Sequence, residues 1–268
     1  MSTHRATAPR TRGLVGATGS ALALVWLLAP VVPLLLWAAA DRWQFPSPLP
    51  QDWGLSGWRG SIDQGVLPAA ARSTALGLAV AAVATPAGAL AGWALARTGL
   101  RENRAVSLAL LAPIALPPFA VVTGLSTVAL RTGVPPAVSV LLTLTVSALP
   151  YTTYVMRSAY SGYDAGYEDA ALSLGASRRD VLTRVHLPLV APPLAAAAFL
   201  AFLVAWSDYV VTLLLGAGSL VSLPLLVGAL ASASGNDSTV AAASVAAVVP
   251  PVVLLVVSGA IARRAGRR

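Results

Sequence analysis

Six stretches of this chain are each long and apolar enough to cross a lipid bilayer as a helix, which excludes most folds open to 268 residues. A bilayer core needs about 20 consecutive apolar residues in helical form. The stretches are residues 14–40, 70–95, 106–130, 134–154, 192–215 and 240–261. Charge tells the same story: 10% of the residues are charged and 57% are hydrophobic, whereas a soluble domain carries about 25% charged residues. Lipid must therefore cover much of the exterior. In lipid the backbone has to satisfy its own hydrogen bonds, so an all-α membrane protein with six transmembrane helices is expected. The first stretch follows Arg5, Arg10 and Arg12 and ends in "AAAD", a cleavage-like tetrapeptide. Its apolar run exceeds the roughly 7–15 residues of a signal peptide, and a retained helix is expected.

The net charge of +8 does not point to nucleic acid, because the arginines sit at the ends of the apolar runs. With the N-terminus inside, 14 arginines face the cytoplasm and 4 face out (Arg42, Arg59, Arg72 and Arg131). The opposite orientation would invert the positive-inside rule. Both termini are thus expected in the cytoplasm. Cysteine is absent, which excludes disulfides and thiolate chemistry. Residues 41–69 form a Pro/Gly-containing outer loop with Trp43, Trp53 and Trp58, suited to the membrane interface. The apolar but Gly/Ser/Pro-interrupted run after the fifth stretch reads as a re-entrant segment packed on the bundle. Pro113, Pro117 and Pro118 are expected to kink or break the third span.

One short island resists this pattern. "EDAALSLGASRRDVLTRVHLPL", residues 168–189, carries seven charged residues if His186 is counted. It lies in the inner loop between the fourth and fifth stretches. Asp164 can cap a helix whose first turns hold Glu168 and Asp169, favourable against the positive end of the dipole. Gly175 supplies the left-handed residue that ends this helix. Ser177, followed three residues on by Asp180, reads as a variant capping box that starts a second helix. There Val181, Leu182, Val185 and Leu189 share a face, with Arg178, Arg179 and Arg184 elsewhere, and Pro188 marks the exit. These residues alone leave two readings open: an interfacial loop with arginines on lipid phosphates, or a docking knob for a soluble partner.

The spacing Asp169-Ala170-Ala171, three residues, Gly175, nine residues, Val185, one residue, Leu187-Pro188 resembles the EAA signature of permease subunits of binding-protein-dependent ABC importers. Every spacing matches; Asp169 stands for the usual Glu and Val185 for the usual Ile. The resemblance covers roughly residues 70–265, a core of five helices that includes the coupling loop 161–189. Residues 14–69 hold a peripheral first helix and outer loop, after a cytoplasmic tail 1–13. It implies a type I ABC importer permease fold in the bacterial inner membrane. Glu168 and the motif residues would form a coupling helix docking on a cytoplasmic ATPase dimer. ATP and Mg2+ would belong to that ATPase, with no cofactor on this chain. An extracytoplasmic solute-binding protein and a second permease chain, a paralogue rather than a copy, complete the implied complex. The residues support one part independently. A phosphate-cradling Walker loop needs a lysine, and all 18 basic residues are arginine.

Within the fifth stretch, Asp208 is an ionisable group in an apolar run, and such groups are functional candidates by default. With Trp206, Tyr209 and Tyr151 it is a candidate for the translocation pathway, packing or interface roles being the other reading. His186 has no second ligand at helical spacing, so no metal site is expected, and contact with a partner or solvent is its expected role. No catalytic grouping stands out, and the chain is not expected to be an enzyme itself. The continuation after the fifth stretch resembles permeases of the polyamine, iron, thiamine and phosphonate group. The competing class, an ion-coupled secondary transporter, calls for several buried charges, and the stretches offer little besides Asp208.

Overall fold

The computed structural model describes residues 22–23, 25–26, 28–44, 46–97, 103–233, 235 and 237–265. The expected tail 1–13 and much of the first expected span lie outside the described residues. The chain divides into two compact units, one of Met1–Asp63 with Ala233–Val245, the other of Gln64–Ser232 with Ala246–Arg268.

In the first unit, helix α1 (Val31–Ala38) leads into a two-stranded antiparallel ribbon, β1 (Ala40–Arg42) and β2 (Asp52–Trp53), and then α2 (Ser56–Asp63). The ribbon pairs Ala40 with Trp53 and Arg42 with Asp52 across an irregular register. Asp41 Oδ1 accepts the Ser56 N–H at 2.8 Å, holding the start of α2. The adjoining core is small: Ala38, Ala241 and Ala242, covered by Leu34, Trp37 and Trp58. Trp37 and Trp43 pack with ring centroids 4.8 Å apart. The described residues among 40–63 are therefore folded rather than a free linker.

The second unit is built around α3 (Val66–Arg97), α6 (Pro136–Ser161) and α8 (Arg178–Trp206). Small residues let α3 and α6 approach closely, as in membrane helix pairs generally. A Cβ on Gly88 would land on the Thr152 hydroxyl, and one on Gly92 would lie 2.7 Å from the Arg157 backbone nitrogen. Thr152 donates across the pair to the Ala84 carbonyl at 3.1 Å. Phe202 of α8 fills the notch at Gly77 and is 1% exposed, so α8 closes on the same centre. Leu144, Ala148, Met156, Ala197 and Ala201 complete the buried interior.

Among the described residues four helices are long and apolar enough to cross a membrane: Val66–Arg97, Pro136–Ser161, Arg178–Trp206 and Asp237–Ile261. The third expected span, 106–130, is not one helix. It consists of α4 (Asn103–Ala115) and α5 (Pro118–Thr132), separated at Leu116 and Pro117. Pro117 takes an extended ψ of 121° because Pro118 follows it, and Pro118 then starts the new helix. The fifth span also differs from expectation. It starts at Arg178 rather than Pro192 and stops at Trp206, with a separate six-residue α9 (Val210–Leu215) beyond. Pro188, expected as an exit, instead lies inside α8, just after the change from π-helical to α-helical winding.

The interrupted run after α9 forms α10 (Leu223–Ala231), nine residues or about 14 Å. That is half a bilayer core. Its leading backbone is satisfied by α3: Leu223 N–H donates to the buried Ser73 hydroxyl at 2.8 Å. The turn before it uses Gly218 at φ +75° and a strained Ala217 at φ +47°. The last helix, α11 (Asp237–Ala265), follows.

Candidate functional site

The charged island folds as a bent pair of helices. The first arm is α7 (Gly166–Ser173), preceded by an Asp164 side chain that accepts the Gly166 N–H at 2.8 Å. Gly175 ends it at φ +86°, a conformation in which a Cβ is disfavoured. Its N–H bonds the Leu172 carbonyl and the Ala176 N–H bonds the Ala171 carbonyl, the paired bonds of a Schellman terminus. Ser177 then caps α8 by accepting the Asp180 N–H at 3.2 Å. The reciprocal bond differs from a standard capping box. The Ser177 hydroxyl itself donates to Asp180 Oδ2 at 2.6 Å, and the carboxylate also pairs with Arg184 at 3.2 Å.

From Val181 to His186 the second arm is π-helical. The wider turn rotates side chains away from the period expected of an α-helix. Val181 is buried and Val185 half-buried, but Leu182 and Leu189 point outward at 50% and 47% exposure. The face expected to hold all four is thus split. Of the remaining motif residues, Asp169, Ala170 and Leu187 are exposed, while Ala171 and Pro188 are half-buried. Tyr167, Leu172 and Leu174 add apolar surface to the arms and their bend, Leu174 at 89% exposure.

Glu168 and Asp169, neighbours in sequence, point to different surroundings. Asp169 is exposed. Glu168 turns inward: its Oε1 accepts the Tyr163 hydroxyl at 2.6 Å and meets His186 Nδ1 at 2.8 Å. These two hydrogen bonds, Tyr163 first, hold its carboxyl below the usual carboxylate range. Burial, and then the bond to Glu168, push the Tyr163 hydroxyl well above its ordinary value. His186, expected to meet a partner or solvent, is instead enclosed by side chains of its own chain. Its Nε2 lies 3.2 Å from the Tyr160 hydroxyl, and its ring stacks on Tyr160 with centroids 5.8 Å apart. The sequence carried a faint signal for this in "AYSGYDAGYED", three tyrosines ahead of Glu168, of which Tyr160 and Tyr163 join the cluster. Nothing in it linked them to a histidine 18 residues beyond Glu168.

The candidate pathway residues do not form one cluster. Both carboxylate oxygens of Asp208 serve the start of α9, Oδ1 accepting from Val211 N–H at 3.2 Å and Oδ2 from the Thr212 N–H and hydroxyl, each at 2.8 Å. Trp206 is 6% exposed and donates to the Ala247 carbonyl at 3.2 Å while stacking on Phe202. Tyr209 packs across Gly228 and stays 41% exposed, as does Tyr151. An apolar cavity of about 160 Å3 opens among Leu78, Phe199, Phe202, Leu254 and Ile261. Apart from Ser258 its lining is carbon, which gives a polar solute little to bind. Among the described residues no three His, Asp or Glu gather as a metal site.

Comparison with known proteins places this geometry in context. The chain is 30% identical over 166 residues to the spermidine/putrescine transport system permease protein PotC of Haemophilus influenzae. That alignment spans 62% of this chain and 65% of PotC, just under two thirds of the relative's length. The inner membrane ABC transporter permease protein YcjP of Escherichia coli is 24% identical, with 85% of each chain covered. The trehalose transport system permease protein SugB of Mycobacterium tuberculosis is 30% identical over 54% of this chain and 53% of its own length. In fold, the chain matches a subunit of a bacterial ABC transporter involved in import of the acidic polysaccharide alginate, with a TM-score of 0.68 at 17% identity. The match covers 94% of this chain and 98% of that one. A second structure, of bacterial alginate ABC transporter in complex with alginate pentasaccharide-bound periplasmic protein, gives a TM-score of 0.65 at 13% identity, with 94% and 95% covered. Residues 84–268 match the family described as binding-protein-dependent transport system inner membrane component. This multi-pass helical chain is accordingly an ABC transporter permease of the binding-protein-dependent inner membrane family.

Proposed function

We propose that this chain is one of two membrane-spanning subunits of an ATP-driven importer, and that the bent element 166–189 is its coupling helix. The observation that carries the reading is the exposed bend itself. Leu172, Leu174, Leu182 and the carboxylate of Asp169 project from a protrusion whose base is packed on α6 and α8. Such a shape fits a cleft in a soluble subunit. ATP with Mg2+ supplies the free energy on that separate ATPase dimer. This chain's residues receive the displacement at the bend and pass it to the spans. The arginine distribution supports six spans, both termini in the cytoplasm and the bend on the cytoplasmic side. A second, paralogous permease chain and an extracytoplasmic solute-binding protein complete the assembly, and none of the cofactors is held here.

The solute is a small polar molecule of the polyamine, iron, thiamine and phosphonate group. Relatives named for spermidine/putrescine and putrescine transport support that class. Relatives named for trehalose and alpha-glucoside transport supply the competing one. The test is reconstitution of the full complex in proteoliposomes with each solute class and its binding protein. Uptake is expected only with ATP inside and the ATPase present. Uptake that persists without any ATPase, driven by an ion gradient, would replace this reading with a secondary transporter.

A further inference from the structure

The two arms of the bent element are joined to each other at their bases by side chains. Glu168, in the first turn of α7, and His186, at the end of the π-helical segment of α8, meet at 2.8 Å. Tyr163 donates to the same carboxylate oxygen from the linker. Tyr160, in the last turn of α6, reaches the other nitrogen of the imidazole. In the neutral ring, a hydrogen on Nδ1 directed at the carboxylate leaves Nε2 to accept from Tyr160. The three rings pack together, Tyr163 edge-on to His186 at 5.4 Å and to Tyr160 at 6.2 Å. Glu168 and His186 side chains are 25% and 18% exposed. Arg97, at the end of α3, contributes its positive charge to the same carboxylate. Met156 and Val190 lie buried in the adjoining core, together with the half-buried parts of Tyr160 and Tyr163.

Resting on the proposed importer reading, we infer that Glu168, His186 and Tyr160 form a bracket that transmits force from the bend to the spans. They are positioning residues. The reason is mechanical. The linker 162–165 is short and irregular, begins at Gly162, and by itself would absorb a push on the bend by flexing. A cross-link between the arms 18 residues apart in sequence, fastened to the end of α6, makes bend, α6 and α8 move together. Glu168, which the motif resemblance groups with the docking residues, has its Oε1 turned to Tyr163 and His186 rather than to the exposed bend, and is assigned here to the bracket instead of the docking surface.

The experiment uses the full complex in proteoliposomes and compares Glu168→Gln, His186→Phe, His186→Gln and Tyr160→Phe. Three quantities are read: ATPase retained on purification, ATP hydrolysed, and solute moved per ATP. His186→Phe keeps a ring for stacking and loses both hydrogen bonds. With that variant and with Glu168→Gln, the ATPase should stay bound and hydrolysis should continue, while solute moved per ATP falls about fivefold, the scale of one ordinary lost hydrogen bond. His186→Gln keeps a donor for Glu168 and should recover much of the ratio, which packing alone does not explain. Tyr160→Phe removes a single bond and should lower the ratio less; it decides the matter if the other variants fail to accumulate. An unchanged ratio in the folded variants overturns the inference, and so does loss of the ATPase from them, which would make these groups part of the docking surface. If the unaltered complex shows no ATP-dependent uptake, the importer reading itself falls instead.

Discussion

Glu168 and Asp169 show how little a residue's type says about its task. Both are carboxylates at the start of one helix, yet one is exposed and the other is enclosed by Tyr163 and His186. The enclosure has a measurable consequence. Hydrogen bonds hold the folded-state pKa of Glu168 below its ordinary value of 4.5. A depressed carboxylate stabilises the fold above that ordinary value, and the contribution is lost as pH falls through the folded pKa. The melting temperature of the purified chain should therefore drop more steeply in acid than that of Glu168→Gln. Parallel curves through the acid range would show that the carboxylate is not held. Asp208 makes a second case at this scale. Its two oxygens accept three hydrogen bonds at a helix start, and asparagine, with one acceptor oxygen, keeps part of that set without the charge. Asp208→Asn should keep uptake near the wild-type level, whereas Asp208→Ala should cost about 1 kcal/mol of stability. Loss of uptake with intact stability in Asp208→Asn would restore a role for its charge in the solute path.

At the scale of elements, the bend is specified by local chemistry and the second arm by something longer in range. Gly175 is at φ +86° with open space around a notional Cβ, so substitution there meets backbone strain rather than a clash. Gly175→Ala should cost about 1–2 kcal/mol at the bend and weaken transport. Gly175→Pro should abolish transport and loosen the ATPase, because proline fixes φ near −65° and removes the N–H that reaches Leu172. Co-purification and uptake, measured together, check this; full activity in the proline variant would mean the bend is not needed. The capping residues and the glycine were legible from sequence because their effects act over a few residues. The π-helical segment was not. There Val181 is buried and His186 meets Glu168, contacts of longer range that no periodicity reports.

At the scale of the molecule, the orientation of the bundle can be tested directly because the chain has no cysteine. Single cysteines at Ser173, beside the bend, and at Ser47, in the outer loop, make opposite predictions. A membrane-impermeant thiol reagent applied to intact cells should label Ser47→Cys and spare Ser173→Cys until the membrane is opened. The reverse pattern would invert the proposed topology and place the bend out of reach of any cytoplasmic ATPase.

Membrane class, helical architecture and the presence of a bent charged element followed from the sequence alone, because hydropathy, proline, glycine and capping groups act locally along the chain. The division of the third span at Leu116 and Pro117 was half visible, since prolines mark where a helix weakens but not whether it breaks. Asp208 serves a helix start three and four residues on, a local contact. Only the tertiary structure decided that Trp206 is buried against Ala247 and that His186 turns inward. Each of those outcomes depends on which helix ends are brought together by the close approach of α3, α6 and α8. A partner 18 or 41 residues away leaves no periodic trace in a single sequence.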